Sequence, residues 1–291
     1  MKIYLLVFLL AITFVVIKTN STSSYPWNMS LSLAEPSQQS HSPLPSPTVP
    51  EPQLHVLEES PSMSQSPNQT WWLNSGAKAF FLENEIQTIQ GSLDVNDHWR
   101  NRYFNSNPTE TDDGLHPQNI FRLVTKQKYV QATQSAQVRI DRLILSKDEH
   151  RAASNGILFF HHYMDGDNLY YAGVRVDGAA VIKKKIKGKY YTMAYQPLIG
   201  GLRYNRETMP NKLPIDEWFG MRTEIENLES GAVAVRIFID FSAQGNWQLA
   251  AEAIDTGEKY DSTILNKEGY VGIRTDFIDA TVRDYSVTSS D

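Results

Sequence analysis

The chain has 291 residues, a formal net charge of −6 and no cysteine. The missing thiol excludes disulfides, a lipidated-cysteine anchor, thiol catalysis and thiolate metal sites. The mild acidity gives no support for nucleic acid as a partner, which would call for a basic footprint.

The first element is an apolar run, "MKIYLLVFLLAITFVVIKTNSTSS", in which one lysine precedes about 15 mostly apolar residues. It is short for a spanning helix, which takes roughly 20 residues, and suits the hydrophobic region of an export signal. Residues 1–19 therefore read as a signal peptide or an uncleaved membrane anchor, and the chain as extracellular or held at the cell surface. Any membrane contact is expected through this segment alone. Residues 20–70 follow without a single Lys or Arg and with nine of the 14 prolines, as in "SPLPSPTVPEPQ". Such a stretch cannot bury enough apolar surface to fold, so it reads as a disordered Pro/Ser-rich tether. Asn20, Asn28 and Asn68 open N-x-[ST] triplets in it.

About 220 residues from Trp71 onward remain, enough for one well-buried domain at 71–291. Its first distinctive segment is "DHWRNRYFNSNPTETDDGLHPQN", 97–119, whose Asn-Pro, Asp-Asp-Gly and His-Pro units read as a long loop. Trp99 and Tyr103 in it either stack on sugar rings or plug the end of the domain. Next, "VQATQSAQVRI" alternates, with Val130, Ala132, Ala136, Val138 and Ile140 on one face. "VAVRIFID" does the same with Val233, Val235, Ile237 and Ile239. Alternation of period two marks half-buried antiparallel strands. "EWFGMRTEIENL" also reads as a strand, and no stretch supports a long amphipathic helix. With about 12 or 13 such strands separated by Asp-Gly, Asn-Gly and Gly-Gly turns, the fold class is all-β: a two-sheet antiparallel jelly-roll sandwich.

Between these runs lies "NGILFFHHYMDGDNLYYAGVRVDGAAVIKKKIKG", 155–188. An Asp-Gly turn joins its first two strands. The pairing puts Ile157, Phe159, Tyr170, Ala172, Val174 and Val176 on an apolar face, with His161 at its end. The other face carries His162, Tyr171 and Arg175 beside Leu158, Phe160 and Leu169. A second turn, Asp177-Gly178, returns the chain. If it holds two residues, Lys184 joins Tyr171 on the polar face; a three-residue loop reverses this. Asp165 and Asp167 are the weak candidates for a structural calcium, although turn chemistry accounts for both. No other cofactor is implied. His161 and His162 point to opposite faces of a strand and cannot chelate one ion together.

The hairpin "GILFFHHYMDGDNLYYAGVRVDG" and the closing "GYVGIRTDFIDATVRDYSV", 269–287, together resemble the laminin-G-like or concanavalin-A-like jelly rolls of secreted proteins. The matching residues are Asp165, Asn168 and Tyr170; Gly269, Gly272, Ile273 and Arg274; and Asp284, Tyr285 and Val287. The resemblance implies a concave sheet that binds carbohydrate, with lyase or hydrolase activity in some members and protein ligands in others. The E-x-D-x-x-E strand of laminarinase-type hydrolases is missing, as are the Gln-x-His and Y-x-K-x-G-x-Y strands of alginate-lyase-like members. No G-x-S-x-G, P-loop or H-E-x-x-H motif occurs. Three readings follow. The first is a polysaccharide-binding domain, its glycan neutral or acidic, using His162, Tyr171, Arg175, Lys184, Arg274, Trp99 and Tyr103. The second is a polysaccharide lyase in which Arg175 or Lys184 neutralises a uronate carboxylate while Tyr171 or His162 moves the proton beside it, or an unusual glycoside hydrolase on the same surface. The third is a protein-adhesion domain.

Overall fold

Period-two alternation becomes sheet wherever one face finds a second layer to bury it, and here two sheets do this for each other. The structure is a computed structural model that describes residues 53–144, 146 and 148–289. The expected leader at 1–19 and most of the expected tether lie outside the described residues. Eight strands form one sheet in the order β1 (His55–Glu58), β3 (Lys78–Leu82), β4 (Glu85–Gln87), β15 (Ile278–Thr288), β6 (Ala132–Leu143), β11 (Trp218–Asn227), β12 (Val233–Asp240) and β13 (Gln248–Asp255). Seven form the other: β10 (Lys189–Pro197), β9 (Ala179–Ile186), β8 (Asn168–Arg175), β7 (Gly156–Asp165), β14 (Gly269–Asp276), β5 (Arg122–Tyr129) and β2 (Trp71–Ser75). Every neighbouring pair is antiparallel. The chain is an all-β, two-sheet jelly-roll sandwich.

The core lies between the sheets. From one side come Ala132, Ala136, Val138, Ile140, Val233, Val235, Ile237 and Ile239, and from the other Ile157, Phe159, Tyr170, Ala172, Val174 and Ile182. Val130, expected among the first set, is half exposed at the turn before β6. Polar ties cross this apolar layer. Gln134 donates through Nε2 to the Phe160 carbonyl (2.9 Å), and His161 Nε2 meets Thr223 Oγ1 at 2.7 Å. Lys184 Nζ lies 2.6 Å from Asp255 Oδ2, with both side chains fully buried. Tyr170 donates its hydroxyl to the same carboxylate at 2.5 Å, and the Gly257 amide donates to Oδ1 at 3.0 Å.

Two expectations are corrected. The sheet takes in His55–Glu58, inside the stretch assigned to the tether, because Leu57 is buried and β1 runs along β3. One inward apolar residue in four, beside Pro- and Ser-rich sequence, is too little alternation to mark a strand. The segment 97–119 is not all loop: His98–Ser106 is a helix, α1, whose N-cap Asp97 accepts from the Trp99 amide. The nine residues of α1 contain neither Gly nor Pro, and a capping Asp stands directly before them.

Candidate functional site

The outer face of the seven-stranded sheet, turned away from the core, is built by the residues that alternate with the buried ones. Leu158 and Phe160 on β7, Tyr171 on β8 and Val181 on β9 form a second apolar cluster there. The β7–β8 turn closes as expected, with Asp165 opposite Asn168. The β8–β9 connection holds three residues, Val176 to Gly178, since Val174 pairs with Ala180. Consequently Tyr171 faces Lys183, and Tyr170 faces Lys184.

A groove of about 360 Å³ opens on this outer face. Its floor is Leu158, Tyr171, Val181 and Lys183, and β14 adds Arg274 and Asp276. Tyr190 of the edge strand β10 stands on one side, 48% exposed. Glu110, His150, Ser154 and Asn155 come from loops. Asp276 Oδ1 accepts from Arg274 Nη2 at 2.8 Å and Nε at 3.0 Å, and the guanidinium carbon lies 5.8 Å from the Tyr171 ring centre. Glu110 Oε2 accepts from Asn107 Nδ2 at 2.8 Å.

Burial and charge set the proton affinities along this floor. Burial pushes the Tyr171 phenol far up, against the pull of Arg274. Burial also raises Tyr190, but Arg274 and Lys185 outweigh it and hold that phenol below its ordinary value. Lys183 is pulled down by burial and then by the charge of Arg175. Burial disfavours the Arg274 cation, yet Asp276 and Tyr171 more than compensate, so it stays charged.

The residues expected at the site scatter. Tyr171 and Arg274 line the groove. Arg175 shares the sheet face but does not line the groove; it is held by Asp177 (2.9 Å), the Ala153 carbonyl and the Tyr195 ring. Lys184 is in the core, because the three-residue loop reverses its face. His162 is also off the outer face. It is the first of three residues, 162–164, that stand opposite Leu169 alone where the pairing shifts between His161 and Asp165, and its φ is 45°. Its ring is turned inward, Nδ1 at 2.5 Å from the Leu265 carbonyl and Nε2 at 2.8 Å from that of Val130. Trp99 and Tyr103 are only 2% and 5% exposed. They plug the end of the sandwich, the Tyr103 hydroxyl donating to Glu59 and accepting from the Gly76 amide. Neither ring is available for stacking. Asp165 accepts from the Asp167 amide and from Asn168, and Asp167 pairs with Lys185 at 3.0 Å. Among the described residues no group of three His, Asp or Glu is placed to hold a metal.

Sequence reasoning missed Tyr190, Asp276, Glu110, His150 and Asn155. For Tyr190 the signal was present: a three-residue second loop followed by the two-residue Lys187-Gly188 turn puts it on the Tyr171 face. Glu110, His150 and Asn155 stand on loops, where no periodicity applies.

No protein-family profile matches the sequence, and no curated protein matches it. Among solved structures, a carbohydrate binding module, CBM66, from Bacillus subtilis is 12% identical over 75% of this chain and 95% of its own, at a TM-score of 0.46. A Bacillus licheniformis beta-glucanase is 8% identical over 82% of this chain and 98% of its own, at 0.40. The GH43 protein BlXynB of Bacillus licheniformis is 11% identical over 71% of this chain and 33% of its own, at 0.38. The sandwich assignment stands on the chain's own strand order and register.

Proposed function

We propose that the chain is a polysaccharide-binding jelly-roll protein, exported and held at the cell surface, and that a glycan lies across the outer groove of the seven-stranded sheet. The observation that carries this reading is the conjunction at the groove: the half-exposed Tyr190 ring beside the Arg274–Asp276 fork and the polar side chains of Asn155 and Ser154. An exposed ring offers an apolar plate to the face of a sugar, and fixed polar groups around it give direction to hydroxyls. Affinity electrophoresis of the full chain through gels containing different polysaccharides tests it. Tyr190→Ala weakens retention at least tenfold, about 1.4 kcal/mol; retention unchanged in a folded variant overturns the site.

A second reading, polysaccharide lyase, draws support from the lowered Tyr190 phenol beside Arg274. Tyr171 is too strongly raised to take a proton, so Tyr190 replaces it in that role. The phenolate would accept the proton α to a uronate carboxylate, the electron pair would form the double bond as the bond to the β oxygen breaks, and the new phenol would return the proton to the departing oxygen. The products are an unsaturated uronate and a free hydroxyl end. New ultraviolet absorbance on incubation with a uronate polymer distinguishes this from binding alone.

A further inference from the structure

Three consecutive lysines on β9 meet three different fates. Lys184 is buried against Asp255. Lys185 reaches Asp167 at 3.0 Å and the Gly166 carbonyl at 2.8 Å. Lys183, on the groove floor, has no hydrogen-bond or ion-pair partner among the described residues; its ammonium sits 5.9 Å from the centre of the Tyr190 ring. The other cations around it are already engaged, Arg274 with Asp276 and Arg175 with Asp177. Of the carboxylates lining the groove, Asp276 is paired with Arg274, and Glu110 accepts from the Asn107 amide.

Asn155, which also lines the groove, is 4% exposed, and its Nδ2 has no hydrogen-bond partner among the described residues. A buried donor left unpaired forfeits its hydration without replacement, and the cost is greater when the group is charged. The groove thus carries a cation and a buried amide donor that lack partners among the described residues.

We infer that Lys183 and Asn155 form a subsite for an anionic group of the glycan, a carboxylate or a sulfate, so that the groove takes an acidic polysaccharide. This rests on the groove being the glycan site. A ligand anion supplies the acceptors both side chains lack, and a charge-assisted hydrogen bond in a partly desolvated site is stronger than a neutral one.

The test uses the full chain with polygalacturonate, dextran sulfate and neutral dextran, in wild type and in Lys183→Met, Lys183→Arg and Tyr190→Ala, each checked for an unchanged melting transition. Lys183→Met is expected to lose at least tenfold more affinity for an acidic polymer than for dextran, and to flatten the salt dependence. Lys183→Arg is expected to stay within threefold of wild type on the acidic polymer. The acidic polymer that responds identifies the anion as carboxylate or sulfate. If Tyr190→Ala loses binding while Lys183→Met does not, or loses all polymers equally, the anionic subsite is wrong and the groove stands. If neither variant alters retention of any polymer, the groove reading falls, and the subsite with it.

Discussion

Replacing Lys184 by Met separates the two placements this lysine could have had. On the groove face, its loss would weaken ligand binding and scarcely touch stability. In the structure it is fully buried, 2.6 Å from Asp255, so Lys184→Met leaves a carboxylate inside the sandwich without its cation. Removing one member of a buried pair costs about 3–5 kcal/mol. Asp255 would keep the Tyr170 hydroxyl and the Gly257 amide as donors, which favours the lower end. About 3 kcal/mol corresponds to a fall of about 1 M in the urea midpoint, for an m-value of about 3 kcal/mol/M. Adding Asp255→Asn removes the stranded charge while leaving an acceptor for Tyr170. The double variant should therefore recover to within about 1–2 kcal/mol of wild type. Equilibrium urea unfolding followed by tryptophan fluorescence measures all three. Lys184→Met within 1 kcal/mol of wild type, or a double variant no more stable than Lys184→Met, refutes the buried pair.

Burial holds the His161 imidazole at a pKa of about 3, against an ordinary 6.5, with His162 a second and smaller cause. Its stabilising contribution is therefore complete above pH 6.5 and is lost as pH falls towards 3. This amounts to about 1.4 kcal/mol per pH unit, or about 2 kcal/mol between pH 6.5 and 5. Urea unfolding at pH 7 and 5 should show that difference reduced in His161→Gln, and equal pH dependence in the two proteins would contradict it. Gly173→Ala puts a Cβ 2.2 Å from the Ile157 carbonyl oxygen and 2.6 Å from the Leu158 Cα, where only backbone movement can relieve the clash. It should cost about 3 kcal/mol and lower the melting temperature by roughly 6–12 °C. A melting temperature within 2 °C of wild type would show that β7 and β8 are not so closely apposed.

What could be read from the sequence and what could not divide along physical lines. Alternation is a local property, so the inward sets of β6, β12, β7 and β8 were legible, and with them the two-sheet class. Lys184 depended on one residue of loop length, since a slip of one exchanges the faces of a strand. His162 depended on a bulge that no turn residue announces. Trp99 and Tyr103 were read by chemistry, as stacking rings or as a plug. Only the position of Glu59, some 40 residues away in sequence, shows which. The groove itself joins β7, β8, β9, β10 and β14 with two loops, and no pattern along the chain carries that convergence.

The polar ties between the sheets have a mechanical consequence. Two apolar layers in contact lose little energy when one slides over the other, because hydrophobic attraction has no direction. Hydrogen bonds weaken steeply with small changes of angle and length. Gln134 to the Phe160 carbonyl and His161 to Thr223 stand together at one point of the interface and Lys184 to Asp255 at another, so they oppose shear of one sheet past the other. In a chain without cysteine, these contacts act as dowels between two boards, fixing alignment where the apolar filling supplies only adhesion.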